Sequence, residues 1–184
     1  AEDGEGEYPI QCLMFKVKPI GLRCNLKAIP FVATLAQLAL ESDQFENHER
    51  GGLLIEDRSG DNTLQNLTLM SHSSDDEELN QRVETVSLSQ FIQLRRTDLF
   101  KLDDIPRYKL VHNLCYQDHF AERRFQFLVE WCPTLLAHID EDEDLPLHCA
   151  AKISTIQAFR IVFEYVIRYY PNKKGIRLLF QKDN

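Results

Sequence analysis

Apolar residues recur every three or four positions along most of the chain, which is the spacing of one face of an α-helix. The pattern predicts four helices, over residues 29–40, 78–95, 125–131 and 156–169. The last two are apolar around most of their circumference, so we expect them to be buried on more than one side. Strict alternation of apolar and polar residues is rare and glycine is scarce, which disfavours an all-β fold. The pattern therefore predicts an all-α fold.

Two polar segments lie outside these helices. The chain begins with AEDGEGE, which predicts a solvated tail, and we expect residues 1–16 to form an acidic, partly disordered N-terminal segment. Residues 71–78, SHSSDDEE, predict a loop in which Ser74 or Asp75 caps the following helix. The folded domain is expected to cover residues 17–184.

A short phrase of the type LLxxxD recurs along this domain. Its aspartates are separated by 47, 36 and 43 residues and are Asp57, Asp104, Asp140 and Asp183. An aromatic and aliphatic block that ends in proline also occurs twice, over residues 125–133 and 163–171. A fixed phrase at a period of 35–45 residues is typical of repeat proteins.

A second mark follows the first three aspartates at a distance of eight residues. It is an aliphatic residue followed by Gln65, His112 or His148. A helix–loop–helix unit of this length cannot bury its apolar face alone, whereas stacked copies share one core. We therefore expect an α-solenoid of about four repeats, approximately 17–57, 58–104, 105–140 and 141–183, plus the start of a fifth.

Leu145-Pro146-Leu147-His148-Cys149-Ala150-Ala151, preceded by Asp140, resembles the ankyrin repeat motif. Residues 111–115 resemble it less closely, and the long spacing is similar to that of the divergent ankyrin-like proteins of diatoms. The resemblance implies that His112 and His148, and Gln65 in the same place, tie neighbouring turns together by hydrogen bonds.

The sequence also departs from that motif. Leu145 replaces the usual threonine, so the hydroxyl that would cap the first helix is missing. Glu143 and Arg107 occupy the places in which glycine normally adopts a positive φ. We therefore expect the turns between repeats to be irregular.

The resemblance implies a non-catalytic protein–protein interaction module, either an adaptor or a structural subunit of a larger assembly. Partners would meet the turns and the exposed face of the first helix of each repeat. The residues expected there are Arg58, Asp61, Asn66, Arg107, Tyr108, Asn113, Tyr116, Asp142, Asp144, Cys149 and Lys152.

The composition and charge disfavour several classes of partner and of site. The formal net charge is −8, which disfavours general nucleic-acid binding because phosphate contacts need a basic surface. The longest apolar stretch, residues 29–40, is too short to span a bilayer. The 5 cysteines contain no C-x-x-C pair, so we expect no disulfide framework and no four-cysteine zinc site. They indicate small buried residues of an intracellular protein in a reducing compartment.

One set of residues suggests metal chemistry. His112, Cys115 and His119 would share a face of a continuous helix, so a metal-binding enzyme or sensor is an alternative function. The ankyrin resemblance accounts for all three as structural residues. The acidic runs 75–78 and 141–144 lack a calcium-loop pattern and indicate solvated turns or surfaces for a basic partner. Because no catalytic motif occurs, we expect no enzyme activity and no cofactor.

The C-terminal end differs in charge from the rest. Residues 160–184 carry six cations against two carboxylates, a net charge of +4. This end could bind an anionic ligand such as lipid or nucleic acid, or form an interface with a partner or a second copy. The interface residues expected are Tyr165, Tyr169, Lys173, Lys174 and Arg177. Trp131 and Phe163 are expected to be core residues.

Overall fold

The computed structural model describes residues 8–18, 21–70, 77–117, 119–152, 155–172, 175 and 177–178, and of residues 15–18 and 21–24 it describes the backbone alone. The chain divides into two compact units, Ala1–Lys101 (unit 1) and Leu102–Asn184 (unit 2). Helices dominate both units, which confirms the predicted helical class. Within the described ranges, every helix is too short or too polar to cross a bilayer.

Unit 1 contains four α-helices and one β-hairpin among its described residues. The helices are α1 (Pro9–Cys12), α2 (Val32–Glu41), α3 (Thr63–Leu69) and α4 (Glu77–Arg96). The hairpin pairs β1 (Phe15–Lys18) with β2 (Gly21–Cys24) in antiparallel register. Short 3-10 helices cover Ile29–Phe31, just before α2, and Asn47–Glu49.

Within the described part of unit 2, all regular secondary structure is helical. Its helices are α5 (Asp104–Arg107), α6 (Leu110–Cys115), α7 (Glu122–Trp131), α8 (Pro146–Lys152) and α9 (Ile156–Tyr169), with a 3-10 helix over Pro133–Ala137 between α7 and α8. The short helices α6 and α8 pack against each other, and each also packs against the longer helix that follows it. Unit 2 is thus built from two short–long helix pairs.

The two longest helices of unit 1 end in the same way. After α2 and α4, Asp43 and Asp98 adopt left-handed φ values of 50° and 58°. Behind Asp98, the backbone N–H of Leu99 donates to the carbonyl of Leu94 at 2.9 Å. A left-handed residue with this long backward hydrogen bond closes a helix and reverses the chain, and aspartate tolerates the conformation better than most residues.

The leucine phrases of the repeat are buried in each unit. Leu53, Phe100 and Leu136 are all 1% exposed or less. They join the aliphatic and aromatic residues of the helices, whose largest fully buried rings are Phe91, Phe100 and Phe125. Burial of these apolar side chains supplies most of the driving force for folding each unit.

The N-terminal boundary differs from the sequence expectation. Residues 1–7 lie outside the described part, but α1 follows at once, and Ile10 and Met14 are buried. The side-chain amide of Gln11 donates to the carbonyl of Ile55 at 3.1 Å. Residues 8–14 therefore belong to the folded unit and not to a tail, and the hairpin that follows is an exception to the expected all-α fold.

The predicted helices are otherwise close to the observed ones. α4 and α9 match residues 78–95 and 156–169 within one residue at either end. The predicted caps Ser74 and Asp75 lie outside the described residues.

Helix α9 is less buried than its composition suggested. Its buried residues form a single stripe of Ala158, Val162 and Val166, whereas Ile156 is 88% exposed. The expectation that α9 is covered on more than one side is therefore wrong. The expectation for Trp131 and Phe163 is also wrong, since both rings are only half-buried. An apolar composition does not distinguish a buried face from an exposed one when neighbouring helices cover only part of the circumference.

Phe125 is the residue whose truncation should be most costly in unit 2. Its ring is fully buried and contacts Phe120 at 5.1 Å and Tyr165 at 5.7 Å between centroids. Phe125→Ala should lower the free energy of unfolding by about 3–5 kcal/mol, because it leaves a cavity among these rings. Trp131→Ala should cost clearly less. Urea unfolding followed by far-UV circular dichroism checks both, and equal losses would contradict the burial pattern.

Candidate interaction site at the connecting turns

A five-residue turn precedes helix α3 in unit 1. In this Asp57 turn, residues 57–61, the carboxylate oxygen Oδ1 of Asp57 accepts hydrogen bonds from the backbone N–H groups of Ser59 (2.8 Å) and Asp61 (3.2 Å). The N–H of Asp57 donates to the carbonyl of Asp61 at 2.8 Å, and the N–H of Gly60 donates back to the carbonyl of Asp57 at 3.0 Å. One carboxylate thus organises the whole turn.

The same turn occurs before helix α8 in unit 2. In this Asp140 turn, residues 140–144, Oδ1 of Asp140 accepts from the N–H groups of Asp142 (3.0 Å) and Asp144 (2.9 Å). The N–H of Asp140 donates to the carbonyl of Asp144 at 3.0 Å, and the N–H of Glu143 donates to the carbonyl of Asp140 at 3.2 Å. Every hydrogen bond of the first turn therefore has a counterpart here.

The fourth residue of each turn is left-handed. Gly60 has φ 84° and Glu143 has φ 61°. Glu143 does replace glycine at a positive φ, as the sequence indicated, yet the turn keeps its regular hydrogen bonds. The expectation of irregular turns is wrong for this copy, because the Asp140 carboxylate holds the backbone that glycine would otherwise favour.

The residue eight positions after each aspartate caps the helix that follows. The side-chain oxygen Oε1 of Gln65 accepts the backbone N–H of Asn62 at 3.0 Å, and Nδ1 of His148 accepts that of Leu145 at 3.3 Å. The Asn62 side chain also accepts the N–H groups of Leu64 and Gln65, each at 3.0 Å. His148 thus binds the N–H of Leu145, the residue before α8, whereas the Leu145 side chain cannot accept the first N–H groups of that helix as Asn62 does in α3.

The second copy of the phrase, at Asp104, has a different turn. After Asp104 the chain enters α5, and Lys109, not Arg107, adopts the left-handed conformation, at φ 51°. The sequence placed the positive φ two residues too early because a helical turn replaces the aspartate-anchored one. In this copy His112 still lies in the place of Gln65 and His148.

His112 joins this copy to the next turn. Its Nε2 lies 3.1 Å from the carbonyl oxygen of His138, and the side chain is buried. Burial lowers the pKa of His112, although the Asp140 carboxylate acts in the opposite direction. The histidine is thus placed to tie two segments of unit 2 together as a neutral ring, the role that the resemblance implied for it.

A polar cluster lies behind the Asp140 turn. The Tyr116 hydroxyl lies 3.4 Å from Oδ2 of Asp140 and 3.3 Å from Oδ2 of Asp144, and it donates to these carboxylates. The Lys152 ammonium donates to both carboxylate oxygens of Asp144, at 2.8 and 2.7 Å, and Asp144 is buried. Cys149 completes the cluster and is buried as well.

Two groups of this cluster, the Cys149 thiol and the Tyr116 hydroxyl, are held in their neutral forms. Burial raises the pKa of Cys149 to about 11, and the Asp140 and Asp144 carboxylates add to the effect. Burial and the same carboxylates also raise the pKa of Tyr116. Since a thiolate is the reactive form of cysteine, Cys149 is a poor nucleophile at neutral pH.

The alternative of a metal site depends on which ligand-type atoms lie close together. Among the described residues, the ligand-type atoms of Asp140, Asp144 and Cys149 lie within 4.8 Å of one another, but those of His112, Cys115 and His119 do not form such a cluster. Lys152 already neutralises Asp144, and Cys149 is protonated at neutral pH. A metal would have to displace these bonds.

The expected partner-binding residues fall into three groups by exposure. Arg58, Arg107, Asp142 and Lys152 are exposed, and Asp61, Tyr108, Asn113 and Tyr116 are half-buried. Asn66, Asp144 and Cys149 are buried, so the sequence expectation that they meet a partner is wrong. Asn66 instead donates from its side-chain amide to Oδ2 of Asp57 at 2.8 Å. Asn66 thus holds the Asp57 turn in place from behind.

The two tyrosines expected at the C-terminal interface, Tyr165 and Tyr169, are half-buried. Tyr165 packs edge-on against Phe125, and Tyr169 stacks on Tyr165 with a centroid distance of 6.2 Å. The Arg168 guanidinium lies over both tyrosine rings. Tyr165 is therefore partly covered by unit 2 itself, and its role at an interface stays a prediction. Arg177 is exposed, while Lys173 and Lys174 lie outside the described residues.

Sequence reasoning missed several residues beside the Asp140 turn. The Lys109 ammonium forms a 2.7 Å ion pair with Glu141, and the exposed Ile139 and His138 immediately precede the turn. The 32-residue separation of the ion pair leaves no pattern in one sequence. Only the observation that two aspartates anchor equivalent turns could have pointed to this neighbourhood.

Comparison with known proteins adds no relative. No family model, no curated protein and no solved structure matches the chain. The resemblance to ankyrin repeats therefore stays a prediction.

Removal of the Asp140 carboxylate tests whether it organises its turn. Asp140→Ala should lower the free energy of unfolding by about 2 kcal/mol, because two backbone N–H groups lose a charged acceptor. Asp140→Asn is the matched control and should cost less, since its amide oxygen can still accept. Urea unfolding gives the energies, and amide hydrogen exchange at Asp142 and Asp144 shows whether the turn opens. An alanine variant with unchanged exchange at both amides would contradict this role.

The buried His112 should make stability depend on pH. Its folded pKa is lowered, so the neutral ring stabilises the fold above about pH 6.5, the ordinary histidine pKa, and that stability is lost as the pH falls through the lower folded pKa. His112→Gln, which introduces the residue found at position 65, should weaken this loss between about pH 7 and pH 5. Unfolding free energies of both proteins across that range check it. Parallel curves would mean that other groups cause the dependence.

Proposed function

We propose that the chain is a non-catalytic protein–protein interaction module, an adaptor or a structural subunit, built from divergent ankyrin-like repeats that form an α-solenoid. The observation that carries the proposal is the recurrence of one aspartate-anchored turn at residues 57–61 and 140–144. The two copies lie 83 residues apart, a distance that about two repeats would cover. Recurrence of a structured turn at that distance is expected of a repeat array.

The hydrogen bonds around each turn support a role in presenting exposed residues to a partner. The anchoring carboxylates and their buried partners, such as Asn66 and Asp144, are used within the protein, while Arg58 and Asp142 at the turn surfaces are exposed. A turn that is already ordered loses little conformational entropy when a partner binds it. Rigid turns with variable exposed residues are therefore suited to recognition.

The chemistry of the clustered groups favours binding over catalysis. Cys149 and Tyr116 both have raised pKa values, so neither supplies a nucleophile or a base at neutral pH. Asp144, the other buried group, is paired with Lys152. The acidic net charge of −8 also favours a protein partner over nucleic acid.

The oxidation state of the cysteines supports a reducing cellular compartment. Cys132 and Cys149 are free thiols. Free thiols are typical of proteins kept in a reducing environment, so we place the proposed interaction inside the cell.

Site-specific photo-crosslinking in the native cells tests the proposal. A photoreactive amino acid at Arg58 or Asp142 should capture a discrete partner, because both positions lie on exposed turn surfaces. The matched controls are Ser89 on α4 and Gln126 on α7, which are exposed helical positions away from the turns. Mass spectrometry of the products should find a partner specific to the turn positions. Crosslinks that are equally frequent at the control positions, or absent from the turns, would contradict the function.

A further inference from the structure

A small groove in unit 2 lies between the segment Ile105–Lys109 and the residues that open the Asp140 turn. Its volume is about 220 Å³. Its walls include Ile105, Pro106, Val111, Leu135 and Ile139, and His112 lines it as well. The groove is too small for the drug-sized ligands that occupy pockets of roughly 300–1,000 Å³. The remaining lining residues are polar: Lys109, His138, Asp140 and Glu141. The size of the groove and the apolar part of its wall suit a single aliphatic side chain.

Ile139 is the exposed part of this wall. It is 44% exposed, although it directly precedes an ordered turn. The neighbouring Leu135 is buried, so the groove passes from a packed floor to an open apolar edge. Ile139 therefore offers an exposed aliphatic contact at the edge of the groove, where an inserted apolar side chain would bury further apolar surface.

The rim of the groove is acidic. Glu141, Asp142 and Glu143 are exposed on the turn that borders it, and Asp103 is exposed just before its opposite side. The nearby cations are Arg107 and Lys109, and Lys109 is already paired with Glu141. Carboxylates thus outnumber cations around the opening, and Asp144 is neutralised separately by Lys152.

We propose that this groove binds a positively charged segment of a partner protein, with one aliphatic side chain inserted between the two turns and flanking lysines or arginines at the carboxylates of the rim. The proposal rests on the proposed interaction function and names the chemistry of the partner. Charge complementarity selects the partner, since an acidic rim repels phosphates and acidic peptides and attracts basic ones. The apolar groove then sets the register of the bound segment.

The probe for the test is a blocked heptapeptide, Gly-Ser-Lys-Leu-Lys-Ser-Gly, added to the whole 15N-labelled chain. The amide chemical shifts of the protein should change at Ile105–His112 and at residues 138–143. Two matched peptides separate the contributions: glutamates in place of both lysines test charge, and alanine in place of leucine tests the groove. Each should bind about tenfold more weakly or worse, because each lacks one half of the recognition.

Variants of the protein complete the test. Glu141→Lys with Asp142→Lys reverses two exposed rim charges and should weaken the lysine peptide about tenfold. The double variant Glu41→Lys with Glu78→Lys changes the net charge equally in unit 1 and should bind normally. Circular dichroism spectra that match the unmodified chain show that both variants are folded.

Several outcomes would overturn the inference. They are equal binding of the lysine and glutamate peptides, shift changes confined to other residues, and no shift change at millimolar peptide. If turn crosslinking still captures a partner that none of the rim substitutions weakens, the interaction function stands and the groove assignment fails. If crosslinking at Arg58 and Asp142 fails while the peptide binds the groove as described, the groove assignment stands and the interaction function proposed for the two turns fails.

Discussion

The fold around the candidate site depends on an aspartate carboxylate that accepts backbone N–H groups of its own turn. Asp57 and Asp140 each bind two such groups, and a left-handed residue completes the reversal of the chain. Hydrogen bonds to an ionised acceptor are about twice as strong as neutral ones, so each turn is ordered without help from a partner. The helix that follows then begins at a fixed position, because Gln65 or His148 binds the N–H of the residue just before it. In α3 the Asn62 side chain also caps the first N–H groups of the helix.

The burial around the Asp140 turn explains why a cluster that looks reactive is structural. Asp144 is buried with a charge, which would be costly alone, and Lys152 compensates it with two short hydrogen bonds. Removal of Lys152 would leave the buried Asp144 carboxylate without its counter-ion in a region of low dielectric, whereas Lys152 itself is exposed. The neutral Tyr116 and Cys149 fill the space behind the carboxylates. The same arrangement leaves the outer side of the turn exposed, so structure and recognition use different faces of one segment.

The helices and the repeat phrase could be predicted from the sequence, because both are periodic features. Helix α9 was placed at its observed bounds, and the aspartates 57 and 140 were placed in equivalent positions before the turn itself was known. Exposure was predicted less well. Asn66 and Cys149 were assigned to a partner surface but are buried, because composition does not tell which side of a short helix its neighbours cover. The Lys109–Glu141 ion pair depends on packing between distant segments, which no local pattern records.

The central claim is that the two aspartate-anchored turns are interchangeable elements of one repeat, and a turn transplant tests it most directly. Residues 140–144, DEDED, would be replaced by residues 57–61, DRSGD, which keeps both aspartates and puts glycine at the left-handed position. Urea unfolding of the whole chain measures the result. The account predicts a cooperative transition and an unfolding free energy within about 1 kcal/mol of the original, because glycine relieves strain while a surface ion pair is lost. A chain that loses its helical signal or its cooperative transition would contradict the claim that the turns are equivalent.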